Sequence, residues 1–120
     1  MEVGNSYKDI ALSTFFLLAV NKKYESKLEK ETNADPNLPK EIIAEERSFF
    51  TIWVPPEARL EYLKQHLNND FKTNVSKALK LLEEANPYWL REASFANLFT
   101  NPDLSNQLLI NVFQELDNLN

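Results

Sequence analysis

A single glycine, Gly4, in 120 residues is the strongest constraint on this chain. Tight hairpin turns put the backbone at positive φ, where glycine fits best, so a sheet protein rich in hairpins would need several. Fourteen asparagines are left to supply any left-handed positions, and their usual place for that is the end of a helix. One glycine cannot build a phosphate-cradling loop, which argues against the ordinary nucleotide enzymes. Cysteine is absent, and with it go disulfides, thiolate ligands and cysteine nucleophiles. His66 is the only histidine, so a zinc site built from several histidines cannot form within one chain.

The length fits one domain, here residues 1–120, and 43% apolar residues suffice for one core. The net charge of −5 is unevenly placed. Acidic and basic side chains balance through residue 80, and the whole excess lies in the last third, where Arg91 stands alone among carboxylates. An acidic surface repels phosphates, so the charge predicts no nucleic-acid partner and a protein partner of basic character. The longest apolar run, IALSTFFLLAV at residues 10–20, is shorter than the roughly 20 residues needed to span a membrane. It also lacks the basic start and the cleavage site of a signal peptide. It reads as mature, cytoplasmic protein with no membrane partner.

Periodicity and punctuation give an all-α reading: a compact bundle of five or six helices, irregular rather than up-down. Ser6 is placed to cap a first helix from Tyr7 to about Lys30. Its first half is apolar on every side, as in a helix buried all round or one that meets a second copy. TNADPNLP, residues 32–39, reads as a linker-like turn, and Pro39 can open a second helix. The stretch SFFTIWV, residues 48–54, has high strand propensity, but no other segment reads as its partner. It is therefore assigned to the second helix, ending at Pro55. Pro56 opens a third helix with Leu60, Leu63 and Leu67 on one face. Asp70 caps a fourth, with Phe71, Val75, Ala78, Leu79, Leu82 and Ala85 as a clean stripe. Asn86-Pro87 precedes a short aromatic helix through Phe99. Asn101-Pro102 precedes a last helix carrying Leu104, Leu108, Leu109, Val112, Phe113, Leu116 and Leu119.

Few residues carry chemistry. His66 could act as a base with Asp70, but Asn68-Asn69 should break the helix between them. Asn33, Asp35, Asn37 and Glu41 match alternate positions of a calcium loop, yet Leu38 stands where its glycine belongs and Ala44 where its bidentate glutamate belongs. Lys72, Lys77 and Lys80 make one helix only mildly basic. The aromatic residues are more suggestive, because tryptophan and tyrosine dominate binding hot spots. Trp53, Tyr88 and Trp89 stand beside prolines at element ends, with Glu83, Glu84 and Glu92 as an acidic rim.

The sequence thus reads as a non-enzymatic protein-binding module, a regulator, inhibitor or assembly factor, with no catalytic residue, metal or cofactor. One alternative is a self-associating protein, a homodimer or larger homo-oligomer, with residues 10–20 at the contact. The other is a small enzyme using His66.

Overall fold

The computed structural model describes residues 3–86 and 105–118. Over these residues the chain is all-α, as the glycine shortage and the periodicity predict. Helix α1 (Val3–Ala34) is 32 residues long, about 48 Å at 1.5 Å per residue. It starts before Ser6, which therefore lies inside the helix and is not its cap. After Ala34 the chain turns, with Asp35 Oδ1 accepting the Asn37 N–H at 3.2 Å. Pro39 then takes the cap position of α2 (Lys40–Glu45).

The second helix does not continue through SFFTIWV. Glu46 is extended, and its carboxylate accepts from Ser48 N at 3.3 Å and Ser48 Oγ at 2.9 Å. One 3-10 turn follows (Arg47–Phe49), and the chain then runs without helix or strand to Pro55. A lone extended segment leaves backbone groups without ladder partners. At Trp53 a side chain fills that role. Asn86 Oδ1 accepts the Trp53 N–H at 2.9 Å, and Asn86 Nδ2 donates to the Trp53 carbonyl at 2.8 Å. One buried amide thus mimics a neighbouring strand.

Asparagine does similar work elsewhere. The third helix starts later than expected: Pro56–Ala58 is a 3-10 turn, Arg59 is extended, and α3 is Leu60–Gln65. Asn21, fully buried on α1, donates to Leu17 O and Ala58 O and accepts the Leu60 N–H, all at 2.9–3.0 Å. It caps α3 from another helix. Helix α4 (Phe71–Ala85) has Asp70 at its cap position, but the Asp70 carboxylate accepts from Thr73 Oγ1 at 2.7 Å. The Lys72 N–H is taken instead by Asn106 Oδ1, at 2.7 Å, from α5 (Asn106–Asn118). The expectation that asparagine would supply left-handed backbone is corrected too. Among the described non-glycine residues only Asp70 has positive φ, at 50°.

The core lies where α1, α4, α5 and the Pro56–Ala58 turn meet. On α4 the predicted stripe is the buried one: Phe71, Val75, Ala78, Leu79 and Leu82. Phe71 meets Phe113 of α5 edge to face, with centroids 5.2 Å apart. Fully burying a side chain of this size stabilises the fold by about 1.5–3 kcal/mol. Helix α1 is not covered all round. Ile10, Leu17, Leu18 and Val20 are buried, whereas Leu12 and Phe15 are 55% and 53% exposed. The aromatic helix expected near residues 88–99 lies outside the described residues.

Candidate functional site

The polar centre of the molecule forms at the end of α2. A six-residue helix leaves its last carbonyls without partners inside the helix. The Ala44 carbonyl is taken up by the Tyr24 hydroxyl and by Trp53 Nε1–H, each at 2.9 Å. Arg59 reaches the same carbonyl at 3.5 Å, and its Nε donates to Val54 O at 3.0 Å. Its Nη2 also pairs with Glu45 at 3.0 Å. The Arg59 guanidinium lies 5.1 Å from the Tyr24 ring centre, and that of Arg47 lies 4.1 Å above Trp53. Burial pushes the Tyr24 phenol above its ordinary range, against the opposing pull of Arg59. The phenol therefore remains a hydrogen-bond donor at neutral pH. These contacts lock α1, α2 and the 50–55 segment together.

Two surfaces flank this centre, one on each side of α1. The first is an open cleft of about 800 Å³ between α1 and α2. Glu25, Glu29, Glu41, Glu45 and Glu61 line it, against Lys40 and Arg59. The second is a smaller recess of about 260 Å³ formed by Lys23 and Lys27 of α1 with Phe50, Thr51 and Ile52. Lys22, Lys23, Lys27 and Lys30 form a basic edge on the remaining surface of α1, between the cleft residues Glu25 and Glu29 on one side and Glu31, which Lys27 pairs at 2.7 Å, on the other.

The residues expected to bind a partner are distributed differently. Trp53 is only 7% exposed, with its indole N–H used inside the fold and one ring face covered by Arg47. Its edge and Glu84 line a common recess of about 330 Å³ beside Pro55 and Pro56. Glu83 is half-buried on α4. Tyr88, Trp89 and Glu92 lie outside the described residues. His66 stacks on Tyr62 with ring centres 4.2 Å apart, and its Nδ1–H donates to the Tyr62 carbonyl at 2.7 Å. Asp70, its sequence-proposed partner, is turned to Thr73. Among the described residues, no three histidine or carboxylate side chains gather as metal ligands would. No helix among them is long and apolar enough to cross a membrane.

Sequence reasoning missed Tyr24, Arg59 and the α1 lysines. The spacing of Lys23, Lys27 and Lys30 was the available signal, since residues four and three apart share a helix face. Net charge hid it, because a sum over the chain is blind to where on a helix its charges lie.

The family model described as HsdM N-terminal domain matches residues 2–116. No curated protein and no solved structure matches the chain. The family is a part of the methyltransferase subunit of type I restriction–modification systems. This overturns two expectations. The reading as a generic protein-binding module gives way to a part of a DNA-modification complex. The absence of a nucleic-acid partner gives way to association with DNA within that complex.

Proposed function

Because this chain belongs to the HsdM N-terminal domain family, we propose that it serves as the helical N-terminal domain of a type I modification methyltransferase. It contributes structure to a complex that methylates DNA in the cytoplasm, and it donates no reacting group itself. The observation that carries the reading is the family match over residues 2–116, nearly the whole chain. The engagement of His66 with Tyr62 supports the non-catalytic part. So does the use of Tyr24 and Arg59 in holding helices together rather than in facing a substrate.

The test is purification, from the source cell, of the protein that carries this chain. The material is then incubated with host-derived unmodified DNA and a labelled methyl donor. Transfer of label to DNA is the expected result. Purified material that holds the chain and transfers no label would refute the proposal.

A further inference from the structure

The basic edge of α1 has a composition that the fold does not require. Successive helical residues are about 100° apart. On that wheel Phe15, Ala19, Lys22, Lys23, Ser26 and Lys30 share one arc of about 100° with no carboxylate in it, bordered by Glu29 about 20° beyond Lys22. Glu25 and Glu29 fall to one side and line the acidic cleft. Lys23 and Lys30 are exposed and Lys22 is half-buried. None of the three is in an ion pair among the described residues. Lys27 pairs with Glu31 at 2.7 Å, a partly exposed contact of the kind that contributes little to stability and exchanges readily for another anion.

By contrast, Lys64 and Lys77 are held by Asp117 and Glu57. The Lys77 ammonium is held more firmly protonated by its hydrogen bond to Glu57. Of the described lysines that no ion pair holds, Lys22, Lys23 and Lys30 lie together on α1, whereas Lys40 and Lys80 stand singly on α2 and α4. From Lys23 to Lys30 the edge runs about 10 Å along the helix, enough to meet successive phosphates of one strand. Beside it lies the Phe50–Thr51–Ile52 recess, which offers an exposed hydroxyl and an apolar wall.

We infer that the Lys22–Lys23–Lys27–Lys30 edge, with the 50–52 segment, is the surface on which this domain holds the sugar–phosphate backbone of DNA. The inference rests on the proposed function and names the surface that serves it. Lysines without a bidentate fork act as point charges toward phosphate, so the contact is independent of sequence and sensitive to salt.

The test uses the purified protein that carries the chain and a fluorescein-labelled duplex, with affinity followed by anisotropy across a sodium chloride series. The triple variant Lys22→Ala, Lys23→Ala, Lys30→Ala should flatten the log–log salt dependence by about 2–3, near 0.9 for each phosphate no longer neutralised. The charge-matched variant Lys40→Ala, Lys64→Ala, Lys80→Ala should leave the slope within about 0.5 of the parent. An unchanged slope in the first variant, or equal flattening in both, would overturn the inference. So would an α1 edge that binds a polyglutamate peptide while duplex DNA fails to displace it. Methyl transfer by the parent protein is measured alongside: if it persists while the slope prediction fails, the surface is wrong and the functional reading stands. If the parent transfers no label, the functional reading itself has failed.

Discussion

Replacing Asn86 by alanine removes three hydrogen bonds at once: from Trp53 N, to Trp53 O and to Leu82 O, at 2.9, 2.8 and 3.0 Å. Leu82 O keeps the Asn86 backbone N–H at 3.0 Å, so it is not orphaned. The two Trp53 backbone groups have no strand to turn to. A buried polar group left unpaired costs about 1–3 kcal/mol, so the two together predict a loss of about 3–4 kcal/mol. Chemical unfolding in urea, followed by circular dichroism at 222 nm, reads this directly. With a slope of about 1.5 kcal/mol/M, the midpoint should fall by about 2 M. Asn86→Asp separates geometry from mere size. At neutral pH its carboxylate still accepts from Trp53 N but faces the Trp53 and Leu82 carbonyls with no proton to give, so it should be as damaging as alanine. Below its pKa the carboxyl can donate once, and part of the loss should return. An alanine variant within about 0.5 kcal/mol of the parent would refute the reasoning, because that is the range of an ordinary surface change.

Other perturbations follow from the same structure. Asn21→Ala should cost about 2–3 kcal/mol in the same urea assay, since Ala58 O and Leu60 N lose their amide partner. Phe113→Ala should cost about 3–5 kcal/mol, because its ring is buried edge to face against Phe71. Phe15→Ser should stay within about 0.5 kcal/mol, because the ring is 53% exposed. The Tyr24 phenol has its pKa raised above 10.0 by burial. The unfolded chain then releases this proton first, so the stability it confers is complete below pH 10 and is lost as pH rises through the folded value. Tyr24→Phe should remove that component, and urea midpoints at pH 9 and pH 11 should differ less in the variant than in the parent.

How far the sequence discloses this molecule varies by residue. Helix α4 is legible because its apolar residues recur at helical spacing and its core partners occupy that one face. The extent of α1 is nearly so: no proline interrupts it before Pro36. The 48–54 segment is misleading for a physical reason. Its apolar density reports burial correctly, but burial is compatible with helix, strand or neither. What decides is Asn86, 33 positions away, whose amide completes the Trp53 backbone. Asn21 and Asn106 are similar cases. Their side chains close helix starts from a distance, whereas capping rules consider only the local chain. The same limit applied to Trp53: its neighbouring prolines suggested an outward ring, while the Ala44 carbonyl and Arg47 draw it inward. The function was obscured differently. A total charge of −5 describes long-range repulsion, but it says nothing of the local arc of α1 on which Lys22, Lys23 and Lys30 stand without an ion pair among the described residues.

The most direct test of the functional account is the state of the genome. The coding segment for this chain is removed from its source cell, with restriction disabled so that the cell survives, and modified bases are mapped by sequencing. The account predicts that one set of methylated sites disappears and returns when the intact chain is restored. A methylation map unchanged by removal of the chain would contradict it.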